Sequence, residues 1–309
     1  MFFLPFKIDS RIKGLPLFTV MVCLICLGVY WEQYTRDRAY YQSVKHYCYQ
    51  DIEKDVLTAL RLVRHEQVGN YCEEVFEEIR SAERPAVKMK SLAEQAENTG
   101  LFADKEDNVA YVFLRLSEGY NEFTRRVPRL LTRDLSYDPR NPNVWKMFTA
   151  TFSHGDLLHL AGNLLFFYIF AASVELVIGH FVFAAFILLS TVTTSLAYSY
   201  ATMNVENAMP TVGLSGVVMA MVAALALMLP HARINCLLWI GIIVKIIPIP
   251  AIFLAVWYIG WDIYDMRRFG QLSGINYVAH ISGAVLGSIL GLYYTVFEKR
   301  RVREATVHY

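Results

Sequence analysis

The sequence has little charge for its length: 18% of its 309 residues are Asp, Glu, Lys or Arg, and the formal net charge is +1. It has no basic stripe and no recognisable nucleic-acid motif, so the electrostatic footprint of a nucleic-acid binder is missing. Its five cysteines show no metal-ligand spacing. The C-x-x-C of Cys23 and Cys26 stands alone inside an apolar run and reads as packing. No H-E-x-x-H or C-x-x-C-H accompanies the histidines, so a metal or haem role for His154, His159 and His280 has no motif behind it, and no cofactor is implied. The internal repeats expected of a transporter are also missing. After the first apolar run, Val29-Tyr30-Trp31-Glu32 offers no small-residue cleavage site. That run therefore reads as an anchor and not as a cleaved signal peptide.

What is abundant is apolar sequence, with 55% hydrophobic residues and a mean hydropathy of +0.33. These values suit an integral membrane protein with a sizeable polar portion. Residues 1–13 carry Lys7, Arg11 and Lys13 and read as a cytosolic N-terminus ahead of a span over 14–31. Residues 32–144 interleave charges of both signs. Ile52, Val56, Leu60 and Val63, and then Val109, Val112, Leu116, Tyr120 and Phe123, recur at helical spacing. Gly69-Asn70, Arg84-Pro85 and Asn98-Thr99-Gly100 punctuate this stretch. It reads as three or four amphipathic helices packed outside the cytosol. Cys48 and Cys72 lie in it, where an oxidising compartment permits a disulfide. One continuous helix over 49–67 would hold its ends about 30 Å apart. The bond therefore requires that helix to break.

Apolar spans resume at about 157–178, 181–201, 212–230, 248–266 and 277–297, with a cytosolic excursion over 231–247. With the anchor they predict an all-α protein of six transmembrane helices, a helical extracytoplasmic insertion between the first two, and a basic cytosolic tail over 298–309. Arg267 and Arg268 oppose this orientation, and the basic ends outweigh them. The lack of an Arg/Ser-rich leader points to a bacterial inner membrane and not to an organelle.

Polar residues inside such spans are costly and mark candidate sites. Ser215 lies in Gly213-Leu214-Ser215-Gly216, followed by an apolar run from Val217 to Leu229 without a charge. Gly213 and Gly216 clear space around its hydroxyl. A helix beginning there aims free N–H groups at developing negative charge. His159 and Asn163 are four apart and share a helix face, with His154 at or before that helix's start. Gly283, Gly287 and Gly291 follow His280 every four residues, a close-packing seam matched by Gly216, Ala220 and Ala223 after the serine. If those seams meet, His280 approaches Ser215, and a histidine in reach activates a serine. Glu175, deep in apolar sequence and off the Asn163 face, reads as a structural acceptor pinning an outer loop.

These motifs, in this order over roughly 145–297, resemble the rhomboid family of intramembrane serine proteases. The resemblance implies a six-helix bundle with Ser215 as nucleophile and His280 as general base. It also implies an oxyanion hole built from Asn163, His159 and the Ser215 N–H. His154, Glu175, Gly213, Gly216 and Gly283 would support the site, with no metal. The implied activity is endopeptidase cleavage of single-span membrane proteins near the extracytoplasmic end of the span. The implied partners are those substrates and the lipid bilayer. A charged carboxylate is expensive at membrane depth, so a Ser–His pair without an acid is the expectation. Two positions depart from the family pattern. Trp145-Lys146 stands where Trp-Arg is common, and Met219 stands where an aromatic often lies against the histidine. The chief rival reading is an inactive relative that binds membrane clients; such relatives usually lack the serine or the histidine, and both are present here.

Overall fold

The structure is a computed structural model that describes residues 2–8, 14–63, 71–98, 101–205, 208–240, 243–270 and 274–306. Arg11, Lys13, the Gly69-Asn70 turn and Thr99-Gly100 lie outside the described residues. The chain divides into two compact units, one of residues 1–33 with 132–309 and one of residues 34–131.

The smaller unit is helical. It contains the end of α1 (Leu17–His46), then α2 (Lys54–Val63), α3 (Tyr71–Ser81), α4 (Pro85–Glu94) and α5 (Lys105–Arg126). Val56, Leu60 and Val63 of α2 meet Val112, Leu116 and Phe123 of α5 in one core with Phe76 and Ile79, so the faces read from spacing are the ones that pack. Gly119 allows this approach, since a methyl group there would stand 2.8 Å from Phe76 Cζ. The Gly119 carbonyl accepts from Tyr47 Oη at 2.9 Å. The obstacle to a disulfide does not arise. After α1 the chain makes one π-helical turn, Tyr47–Asp51, and α2 starts afresh at Lys54. Cys48 and Cys72 are bonded, with Cα atoms 5.7 Å apart.

The larger unit holds α6 from Thr132 on (Leu131–Leu135), α7 (Val144–Phe152), α8 (Leu157–Ile178), α9 (His180–Thr202) and α10 (Ser215–Met228), followed by α11 (Ala251–Phe269), α12 (Tyr277–Phe297) and α13 (Lys299–Thr306). Among the described residues, four helices are long and apolar enough to cross a membrane: α1, α8, α9 and α12. α10 has only 14 residues, and the last two turns of α11 carry Asp262, Asp265, Arg267 and Arg268. The all-α expectation needs correction. A three-stranded antiparallel sheet in the order β1-β2-β3 joins β1 (Phe2–Ile8), β2 (Arg233–Ile240) and β3 (Ile243–Pro250). Ile8 pairs with Ile234 and Phe2 with Trp239. The β-branched residues of 243–249 fit a pleated surface. Ile234 and Cys236, two apart on β2, turn to one face and bury against the helices. An apolar run of that length does not distinguish strand from the edge of a span by periodicity alone.

Glu175 does not pin an outer loop. Its carboxylate accepts from Phe18 N at 2.9 Å, Thr19 N at 2.8 Å and Thr19 Oγ1 at 2.7 Å. His180 Nδ1 stands 2.6 Å from it. It thus caps the first turn of α1 from a neighbouring helix, where N–H groups lack helical partners and favour negative charge. Glu175→Ala would strand three donors, each costing about 1–3 kcal/mol when buried. The expected result is a melting midpoint lower by roughly 5–10 °C in detergent. An unchanged midpoint would show that the cap carries no net stability.

Candidate active site

Local sequence sets each part of the site. Asp156 Oδ1 accepts from His159 N at 2.8 Å and so starts α8. From there, one turn separates His159 from Asn163, and Asn163 Nδ2 donates to the His159 carbonyl at 2.9 Å. The second Nδ2 hydrogen remains available to a ligand. Asn276 Oδ1 accepts from Ala279 N at 3.0 Å and starts α12 one turn ahead of His280. Ser215 is the first residue of α10, so its N–H has no partner within the helix.

The loop before Ser215 is held from several sides. Tyr137 and Thr211 exchange backbone hydrogen bonds of 3.0 and 2.9 Å, and Gly213 N donates to Ala150 O at 2.8 Å. Tyr198 Oη donates to Met209 O at 2.8 Å. Gly213 has φ +126°, a backbone state that side chains rarely adopt. A methyl group there would also stand 2.8 Å from His159 Nε2 and 4.0 Å from Asn163 Nδ2. Those two donors therefore lie against the loop that delivers Ser215.

The seams meet. A methyl group on Gly283 would fall on the Gly216 carbonyl oxygen, and one on Gly287 on that of Ala220. α10 and α12 therefore touch backbone to backbone, with Ala224 in the third position of the seam, opposite Gly291. Ser215, His280, His159 and Asn163 line one cavity of about 550 Å³.

His154 stands beside this cavity group and not in it. It is fully buried, its ring edge-on to that of His159 with centroids 5.3 Å apart. Its backbone is clamped by the Gln33 amide, which accepts from His154 N and donates to His154 O, both at 3.2 Å. Burial, and then the neighbouring His159, push its imidazole down to about 4. The ring is therefore neutral near pH 7 and acts as packing. Lys146 Nζ donates to the Asp134 carbonyl, so the lysine ties α7 to α6 across the intervening loop. Met219 packs with Ala223 and Ala284. An aromatic ring does reach His280, but from its own helix, with Tyr277 edge-on at 6.3 Å.

One group escaped the sequence reading. Asp262 of α11 places Oδ2 3.0 Å from His280 Nδ1. The expectation that a carboxylate would be excluded here overlooked the cavity, which Asp262 also lines. The signal was available, since an acid inside an apolar run is costly and marks function.

Residues 141–297, just over half of the chain, match the family model described as Rhomboid domain. The chain belongs to the rhomboid family. A curated rhomboid relative, the mouse (Mus musculus) presenilin-associated rhomboid-like protein, mitochondrial, is 26% identical over 169 residues, covering 52% of this chain and 42% of that protein. The chain thus spans less than half the length of that rhomboid. The match to the family takes in all the motif residues from His154 to Gly291 and leaves the 34–131 unit outside it.

Proposed function

We propose that this rhomboid is an intramembrane serine endopeptidase. The observation that carries the reading is the convergence of Ser215, His280, His159 and Asn163 on one cavity. Ser215 Oγ attacks the scissile carbonyl while His280 takes its proton and later returns it to the leaving amine. The Ser215 N–H, His159 and Asn163 hold the oxyanion with neutral donors. Water then releases the acyl group by the same proton path.

The substrates are single-span membrane proteins, cut near the extracytoplasmic end of the span. α10 is short, about 21 Å at 1.5 Å per residue against a hydrocarbon core of about 30 Å. A serine at its first residue lies below the membrane surface yet opens to a cavity roomy enough for water. α10 and α11 complete six spans, both termini are cytosolic, and the setting is a bacterial inner membrane. The Cys48–Cys72 bond supports placing the 34–131 unit in an oxidising compartment. Trp261 lines both the catalytic cavity and an apolar groove on the outer face of α11 with Phe253 and Trp257. A substrate helix arriving from lipid meets that groove first.

A peptide bond within a helix is shielded by its own hydrogen bonds, so cleavage needs local unwinding, which Gly or Pro eases by about 1 or 3 kcal/mol. In proteoliposomes, a model span bearing Gly near its outer end is expected to be cut about fivefold or more faster than a uniform Leu/Ile span of equal length. Equal rates for the two spans would remove the unwinding argument. Cleavage of neither, with folded enzyme, would remove the protease reading.

A further inference from the structure

The Asp262–His280 contact is not a surface ion pair. The two side chains are 16% and 15% exposed, and they face each other across the α11–α12 packing inside the cavity. Among the described residues, His280 is the one hydrogen-bond partner that Asp262 has. An ionised carboxylate only accepts, so a bond at 3.0 Å requires the proton to sit on His280 Nδ1. That leaves Nε2 unprotonated, the state a general base needs. The contact also joins two helices that the seam residues do not tie together, since the glycines of α12 face α10.

We infer that Asp262 is a positioning residue that turns the serine–histidine pair into a Ser215–His280–Asp262 relay. It holds His280 as the Nδ1–H tautomer with Nε2 left for Ser215, and it stabilises the imidazolium that forms when Ser215 gives up its proton. The proton moves only from Ser215 Oγ to His280 Nε2 and on to the leaving amine. Asp262 keeps its charge throughout and takes no proton. The inference rests on the protease reading above.

The aqueous side of the cavity makes such a carboxylate affordable. Asp262 keeps some access to water there, so it does not bear the full cost of burial in lipid. The other titratable groups facing His280 are His159 and Asp156 from the α8 side, Tyr258 from α11 and Tyr277 on its own helix. Among the described residues, no other group at the cavity lies within hydrogen-bond reach of His280 Nδ1, which makes the carboxylate's removal readable.

The test uses the full chain in proteoliposomes with a cleavable model span. Asp262→Asn and Asp262→Ala are expected to lower kcat by about 10²- to 10⁴-fold, the upper figure being that of a soluble triad with the wrong tautomer. KM is expected to stay within roughly threefold. Nitrogen NMR of the neutral His280 ring should show the Nδ1–H form in the wild type and a rise of the Nε2–H form in Asp262→Asn, whose amide can donate to Nδ1. Asp262→Glu, which retains an acceptor, should keep the Nδ1–H form and restore part of kcat. A kcat within about threefold of wild type in the Asn or Ala protein would overturn the inference. So would a loss of kcat with the His280 tautomer unchanged in Asp262→Asn, which marks a purely structural role. If the variants do not fold, nitrogen NMR of the wild-type His280 ring decides. A neutral form protonated at Nε2 overturns the inference, and one protonated at Nδ1 supports it. Ser215→Ala, run alongside, separates the two layers. Turnover surviving in that protein defeats the protease reading, whereas dead Ser215→Ala beside unaffected Asp262→Asn defeats only the relay.

Discussion

Ser215→Ala and His280→Ala are each expected to remove peptide hydrolysis almost entirely, by at least about 10⁴-fold, and the double variant to lose little more. On the proposed mechanism, nucleophile and base act as a unit, so removing either leaves only the binding and oxyanion contributions. The structural ground is the seam that holds α10 and α12 backbone to backbone, with both residues lining the same cavity. The checks are the cleavage rate of a model span and labelling by a fluorophosphonate probe. Labelling should vanish in Ser215→Ala and fall steeply in His280→Ala. Asn163→Ala should leave a labelled protein, because the nucleophile is intact. Substantial turnover by Ser215→Ala would assign the chemistry to another group.

The second large effect belongs to the seam itself. Gly283→Ala and Gly287→Ala each place a methyl group on a backbone carbonyl oxygen of α10, and a backbone atom cannot swing aside as a side chain can. The helices must separate, at a cost of about 1–3 kcal/mol or more for overpacking. Gly283 is one turn from His280, so the separation there displaces His280 from Ser215. A misplacement of about 1 Å can cost roughly 10²-fold in rate. Gly283→Ala is therefore expected to lose about 10²-fold in kcat, with a lower melting midpoint. Gly291→Ala should be milder in rate, because its nearest neighbour is Leu227 Cβ at 2.8 Å and it lies far along α12 from His280. Gly28→Ala in α1 serves as the control, since a methyl group there meets nothing within 4 Å. It should be neutral or slightly stabilising through helix propensity. A graded series of rates and midpoints in this order checks the seam, and four indistinguishable proteins would sink it.

Much of this molecule was legible in local sequence, for identifiable reasons. Small residues every fourth position mark a helix face that must meet another backbone, and the Gly283–Gly287–Gly291 stripe found its partner in α10 as spacing implied. One residue of the matching stripe differs from expectation: Ala224 continues it, and Ala223 packs instead beside Met219 and Ala284. A strict four-residue step drifts around a helix of 3.6 residues per turn, and Ala223 and Ala224 straddle the seam. The amphipathic faces of the 34–131 unit were equally readable, because burial of one stripe has a period that a single helix displays on its own.

Other features carry no period. β1 pairs with β2 across more than two hundred residues of sequence, and its pairing depends on where the chain's far segments are carried. The break after His46 lets Cys48 approach Cys72, but a π-helical turn leaves no compositional mark that distinguishes it from continuing helix. Glu175 announced itself as a buried acid, while its partner, the first turn of α1, is 157 residues away from it in the chain.

Sequence by itself determined which residues are candidates for chemistry and on which helices most of them ride, because residue type, helical spacing and the cost of polarity in apolar runs are local properties. Only the tertiary structure decided who stands beside whom: Asp262 at His280, Glu175 at the start of α1, His159 and Asn163 against Gly213. Those neighbours come from different segments of the chain, and their distances follow from how the helices pack, which no spacing within one segment encodes.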